Sequence, residues 1–229
     1  MLKVELHAHT VHDRADRIRH TTRDLIDHAI SLGYHALALT LHDIQRDNTA
    51  DAAWARDRGF VLISGIERTI EGVHILLINF PAHLALGVRR FADVPALKAA
   101  SPHGLVVVPH AFYPVGSAMR DRLDQHAAWV DAIEVNALYT RQLDFNTRAV
   151  AWAKAHGKPL VGNTDLHHLQ QMGTTFTLVD APPDANAICE AIRNGRVEVH
   201  TRPVSPLKAA WFFTWMVVGG RLPPTRIDD

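Results

Sequence analysis

The chain reads as an α/β barrel. Two observations predict this: short aliphatic runs alternate with helix-like stretches along its 229 residues, and nearly every run is followed by a histidine or an acid. Strands that alternate with helices pair in parallel through right-handed crossovers, and about seven such units close into a barrel. An open doubly wound sheet is the competing topology.

The strand-like runs are KVEL, HALALT, FVLISGI, GLVVVP, AIEVN, PLVG and RVEV, each β-branched or aliphatic and of strand length. Between them TTRDLIDHAISLGY, DAAWARDRG, MRDRLDQHAAWV, LDFNTRAVAWAKAHG and DANAICEAIRNG carry helical patterns. Several of these stop at a glycine, which closes a helix in the left-handed conformation. The segment ISGIERTIEGVHILL reads as two strands joined at Glu71-Gly72, so that HILLINF runs back against its predecessor.

No repeat, low-complexity tract or long linker divides the chain, so residues 1–203 are expected to form one barrel and residues 204–229 an apolar tail. Within the tail, KAAWFFTWMVVGG (208–220) is shorter than the roughly 20 apolar residues of a bilayer span, so no transmembrane segment is expected. It is also too apolar to lie bare in water. A packed helix is expected, with Trp211, Phe212, Phe213 and Trp215 buried on the barrel or in a homo-oligomeric contact.

Hydrophobic residues make up 47% of the chain and charged residues 21%, as in ordinary globular proteins. Lys+Arg and Asp+Glu are equal at 24 each, so no basic field points to a stable nucleic-acid complex. The single cysteine, Cys189, excludes an intrachain disulfide and any multi-cysteine metal site, and no signal-like start is apparent, which together predict a cytoplasmic protein. Histidine is abundant at 16 copies. A metal site here must be built from imidazoles and carboxylates.

Position within the fold identifies which histidines matter. In VELHAHT, His7 and His9 are spaced i, i+2, which on a strand puts both on one face about 6.5 Å apart, close enough to share an ion. HALALT is followed by His42, LISGI by Glu67, VVVP by His110, AIEV by Asn136 with Glu134 inside the run, and LVGNT by Asp165 and His167. In a parallel barrel the C-terminal strand ends open onto one face, where active sites lie. The hairpin at Glu71-Gly72 brings His74 to the same end. By position His28, His35, His83, His103, His126, His156, His168 and His200 read as surface or packing residues.

The ordered series HAHT, LTLHD, GIE, VHILL, VPH, IEVN, TDLH resembles the metal-binding signature of the PHP (polymerase and histidinol phosphatase) family, over residues 4 to about 168. The resemblance implies a distorted seven-stranded (βα) barrel with two or three divalent transition metals, zinc, manganese or iron, and phosphoester hydrolysis. It implies that His7, His9, Glu67 and Asp165 hold a first metal and that Glu67 bridges to a second on His74 and His110. A third would sit on His42, His167 and a side chain of the loop after the first strand, where His12 and Asp13 are candidates and Asp13 is favoured. Leu41 and Thr164 depart from the family pattern, which commonly has an acid and a serine there.

The reaction follows from elementary metal chemistry. Two divalent ions about 3.5–4 Å apart supply hydroxide near neutral pH and neutralise phosphoryl oxygens, so Glu67 and Asp165 are expected to hold a metal-bound hydroxide. The loop DRADRIRH offers Arg17, Arg19 and His20, with Arg141 beyond the run AIEVN, as binders of a phosphorylated substrate. The expected function is hydrolysis of a small phosphate ester or a nucleotide or oligonucleotide end. Hydrolysis of C–N bonds and a non-catalytic binding module are the alternatives.

Overall fold

The computed structural model describes residues 1–219, with side chains as far as Thr214. Within them the strands are β1 (Leu2–Ala8), β2 (Ala36–Leu39), β3 (Val61–Ile70), β4 (Val73–Ile78), β5 (Leu105–Val108), β6 (Ala132–Asn136), β7 (Leu160–Asn163), β8 (Thr175–Val179) and β9 (Val197–Thr201). They form one sheet in the order β7-β6-β5-β4-β3-β2-β1-β8-β9. The helices are α1 (Thr22–Ser31), α2 (Thr49–Arg56), α3 (Ala82–Gly87), α4 (Val94–Ala100), α5 (Leu123–His126), α6 (Asn146–Ala155), α7 (Ala185–Arg193) and α8 (Pro206–Gly219).

The sheet is mixed. β1, β2 and β3 pair in parallel, as do β5, β6 and β7. Between these blocks β4 is antiparallel to both neighbours, because the Glu71-Gly72 turn reverses the chain. Both turn residues take positive φ, 50° and 79°, and Ile70 pairs directly with Val73 across the turn. The expected hairpin is therefore present.

β1 to β7 curl into a nearly closed barrel whose seam is sewn largely by side chains. Leu6 N donates to Asn163 Oδ1 (3.1 Å), and Gly162 N donates to Thr177 Oγ1 (2.8 Å), which donates back to Gly162 O (3.1 Å). An isolated bridge joins Ala8 to Leu166, with His9 N on Leu166 O and Leu166 N on His7 O, both at 3.0 Å. This bridge draws the ends of the first and last barrel strands together, and with them the residues that follow.

Helices cover the outside through apolar faces. α1 buries Leu25, Ile26 and Ala29, and its start is fixed by a capping box in which Thr21 Oγ1 accepts from Asp24 N and Asp24 accepts from Thr21 N. α1, α2, α6 and α7 are followed by Gly33, Gly59, Gly157 and Gly195 with φ between 61° and 73°, the left-handed stops expected from the sequence.

Three expectations need correction. RVEV is not a parallel barrel strand: β9 pairs antiparallel with β8, which pairs antiparallel with β1. β8 itself, TFTLV, escaped the pattern because its fully buried positions include Thr175 and Thr177 while Phe176 and Leu178 are partly exposed, so hydropathy does not mark its inner face. MRDRLDQHAAWV forms only a 3-10 turn and the short α5.

The tail is helical, and Phe212 is buried, but Trp211 and Phe213 are exposed. A helix apolar on every face cannot bury all of them against one surface. The side chain of Trp215 lies outside the described residues. No helix among the described residues is long and apolar enough to cross a membrane.

Gly162 is where the seam is tightest, since a Cβ there would meet Phe176 O at 2.9 Å and Thr175 Cγ2 and Val199 Cγ1 at 3.0 Å. Gly162→Ala should therefore cost about 1–3 kcal/mol by overpacking. Urea unfolding at equilibrium checks this; unchanged stability would mean that the seam is looser than described.

Candidate metal centre

Eight side chains from the C-terminal barrel face and the β3–β4 hairpin converge on one point. His7 and His9, fully buried at the end of β1, face the same way with ring centroids 5.2 Å apart, as the i, i+2 spacing requires. His42 follows β2, Glu67 lies in β3, His74 starts β4, His110 follows β5, and Asp165 and His167 follow β7. His110 and Asp165 take φ of 32° and 51°, a conformation non-glycine residues adopt at a cost, concentrated here at the strand ends that carry the cluster.

Glu67 is the centre of the group. Its Oε2 lies 3.3 Å from Nε2 of both His7 and His9 and 3.0 Å from His42 Nε2. Its Oε1 lies 2.7 Å from His74 Nδ1 and 3.3 Å from His110 Nε2. Asp165 Oδ1 closes the other side at 3.2 Å from His7 Nε2, 3.5 Å from His9 Nε2 and 3.5 Å from His167 Nδ1.

His7 Nε2, His9 Nε2, Glu67 Oε2 and His110 Nδ1 are buried without a hydrogen bond. Leaving polar atoms in this state is costly, and convergence of nitrogen and oxygen donors is what a divalent cation would relieve. His7, His9, Glu67 and Asp165 offer ligand atoms within 4.8 Å of one another, as do His42, Glu67 and His74, His9, His42 and His167, and Asp13, Asp16 and His42. The residues thus fit several ions of the kind that bind imidazole and carboxylate together.

The electrostatics agree. Burial opposes charge on His7, but Asp165, Glu67 and Glu134 outweigh it and hold the imidazole well above its ordinary pKa. His42 is pushed up to about 9, where burial is likewise outweighed, chiefly by Glu67. Burial would raise the carboxyl pKa of Glu67 and Asp165, and the surrounding imidazoles instead hold both far below the usual range. The pocket is built to balance positive against negative charge.

Residues 144–197 match the family described as PHP-associated. Among solved structures, PsfC from Pseudomonas syringae PB-5123 superposes with a TM-score of 0.70 at 17% identity, over 95% of this chain and 98% of that one. A two-domain protein from Bacteroides vulgatus that contains a predicted PHP-like metal-dependent phosphoesterase superposes with a TM-score of 0.66 at 21% identity, over 88% of this chain. This chain spans only 65% of that protein. An amidohydrolase from Chromobacterium violaceum, with bound sulfate and no metal, gives a TM-score of 0.56 at 19% identity over 87% and 93% of the two chains. The chain has the PHP-like phosphoesterase fold. Among curated proteins none matches the sequence.

Within this PHP-like barrel, carboxylates behind the imidazoles aim them. Glu134 Oε2 accepts from His7 Nδ1 (2.8 Å), and its Oε1 accepts from His110 N (3.1 Å), so one buried acid orients two cluster residues. Asp13, the favoured loop ligand, occupies a similar rear position: its Oδ2 accepts from Nδ1 of His9 (2.8 Å) and of His42 (3.0 Å). Its Oδ1 accepts from the backbone of Ala15 and Asp16, which turns the loop inward. Asp16, missed in the sequence, then reaches His167 Nε2 (3.1 Å) and approaches His42 Nδ1 (3.6 Å). The signal available was an Asx turn at Asp13 that presents the next acid. His12 is partly exposed.

The two departures from the family pattern have structural homes. Leu41 is buried in the apolar core beneath α1, and Thr164 Oγ1 donates to Glu5 Oε2 (2.9 Å). Glu5 also accepts from His7 N (3.0 Å), and burial pushes its carboxyl up to about 8.

A cavity of about 670 Å³ opens above the cluster, lined on the metal side by Asp16, His42, Glu67, His74, His110, Asp165 and His167. None of the expected phosphate binders lines it. Arg19 and His20 border a neighbouring depression that meets the cluster only at His167. His20 is spent as a prop, donating from Nε2 to His9 O (2.8 Å), and burial depresses its pKa to about 4. Arg141 is exposed on the loop after β6 and Arg17 is half-buried, both outside the cavity wall.

Because orienting carboxylates raise ligand basicity and fix the tautomer, Glu134→Ala should weaken metal affinity about 10–100-fold. Calorimetric titration with Zn²⁺, alongside circular dichroism to show retained fold, tests this. Unchanged affinity in a folded variant would remove Glu134 from the site.

Proposed function

We propose that the protein is a metal-dependent phosphoesterase acting on a small phosphate ester or nucleotide. The observation that carries this reading is Glu67, whose two carboxylate oxygens face two different sets of imidazoles at the floor of the cavity. His7, His9, Glu67 and Asp165 would hold one ion, Glu67 with His74 and His110 a second, and Asp16, His42 and His167 a third. This assignment puts Asp16 in the place that the family resemblance implied for Asp13. When bound, such ions activate water near neutral pH and neutralise phosphoryl oxygens.

The chain's own part is positioning. Glu67 sets the separation of the first two sites, and Glu134 and Asp13 keep Nε2 of His7, His9 and His42 facing inward. Among the described residues no lysine or arginine lines the cavity, so the cluster itself carries the positive field that receives a phosphoryl group. Cys189 has no place in the scheme as a nucleophile: it is buried in α7 and burial pushes its thiol up to about 12.

Hydrolysis of C–N bonds is the second reading, since fold does not dictate the scissile bond and one neighbour is described as an amidohydrolase. A non-catalytic module is disfavoured by the completeness of the donor set.

Chelation should abolish turnover on phosphomonoesters, with Mn²⁺ or Zn²⁺ restoring it better than Mg²⁺, and Asp165→Asn should remove it. Arg19→Ala and Arg141→Ala should leave kcat/KM unchanged. A metal-replete protein inert on phosphate esters yet active on an amide would transfer the assignment to C–N hydrolysis.

Elemental analysis separates the two loop acids. Asp16→Ala should lose about one ion per chain, whereas Asp13→Ala should keep its ions but bind them more weakly. The opposite pattern would return Asp13 to the ligand set.

A further inference from the structure

The cavity has two chemically distinct halves, and only one of them is the metal cluster. The apolar remainder of the wall includes Tyr113, Val115, Leu138, Leu143, Phe145 and, from α8, Phe213. We propose that this wall receives an apolar organic group of the ester, a ring or an alkyl chain, so that the enzyme selects against sugar phosphates and polynucleotides; the inference rests on the phosphoesterase reading and narrows it.

Several polar atoms of the wall are already engaged. The Tyr113 hydroxyl is directed at Asn136 O and Leu138 O, both at 3.3 Å, which leaves only its ring to the cavity. The Tyr139 hydroxyl accepts from Thr201 Oγ1 (3.0 Å). Asn136 uses both ends of its amide, Nδ2 on Glu134 Oε1 (2.8 Å) and Oδ1 for Leu138 N (2.9 Å). Thr140 Oγ1 accepts from Leu143 N (3.0 Å). The polar exceptions are Ser117 and the O–H groups of Tyr139 and Thr140. A sugar entering here would lose hydration at several hydroxyls and find few partners, which a site selective for sugars would not allow.

Charge argues the same way. A second phosphate or a polynucleotide backbone needs cations beyond those at the scissile group. Among the described residues the wall supplies no lysine or arginine.

The rim points to what covers it. Large hydrophobic side chains exposed on this protein include Val115 (39%), Leu143 (56%) and Phe213 (57%), and all three meet at this one cavity. They come from the loops after β5 and β6 and from α8, segments far apart in sequence. Apolar surface gathered from three segments around a concave site marks a binding surface.

Non-hydrolysable phosphonates test the proposal without turnover. Calorimetric titration of the Mn²⁺-loaded protein should show 1-naphthylphosphonate or octylphosphonate binding about tenfold or more tightly than methylphosphonate and hydroxymethylphosphonate. The better of the first two tells a ring from a chain. The double variant Phe213→Asp, Leu143→Asp changes only exposed side chains and should erase the difference. Equal affinities across the series, preference for the hydroxylated ligand, no binding of any ligand, or a preference that survives the double variant would overturn the proposal. If 1-naphthamide binds and no phosphonate does, the apolar wall stands and the phosphoesterase reading falls.

Discussion

The structure turns on one carboxylate. Glu67 is buried among the imidazoles of His7, His9, His42, His74 and His110, and a charge in that position is tolerable only because so many partners surround it. Five histidines cannot reach one acid from a single element. They arrive from β1, the end of β2, the start of β4 and the end of β5, so the strand order follows the demands of this side chain. The antiparallel β4 is explained in the same way: without the reversal at Glu71-Gly72, His74 would lie at the far end of the barrel.

The seam matters for the same reason. Asp165 and His167 follow the last barrel strand, and they meet His7 and His9 because the Ala8–Leu166 bridge and Asn163 hold β7 against β1. The positive φ at Asp165 turns its carboxyl toward His7. Strain at a strand end is retained where the surrounding structure specifies the conformation strongly. Here the specifying contacts are the Ala8–Leu166 bridge and the bonds that Asp165 O accepts from His167 Nδ1 (2.9 Å) and Gln171 Nε2 (3.2 Å).

Much of this was legible in the sequence because ligands sit at fixed offsets from hydrophobic runs, and both signals are local. The HAH spacing, the hairpin turn and the glycine stops each depend on neighbouring residues alone. What was not legible depended on long-range geometry. β8 hides its inner face in Thr175 and Thr177, which hydrogen-bond across the sheet and the seam instead of packing as aliphatics. The reach of Asp16 over Asp13 depends on two backbone bonds to Asp13 Oδ1, and the arginines of the same loop follow that turn away from the cavity. Charge alone could not place them. The tail was recognisable as an apolar helix, but its position beside the cavity was not, because nothing local couples α8 to the metal side.

That position links the two halves of the cavity physically. Rings and aliphatic side chains make the lining beside the cluster largely apolar, and electrostatic interactions in such surroundings are stronger than in water. On the phosphoesterase proposal, imidazoles already held by Glu134 and Asp13 would need little rearrangement as a phosphoryl group gains charge. Since no lysine or arginine lines the cavity among the described residues, the proposed reaction would rest on preorganisation and low dielectric in place of direct cationic contacts. On that proposal the apolar wall would be more than a specificity surface: it would set the medium in which the cluster acts.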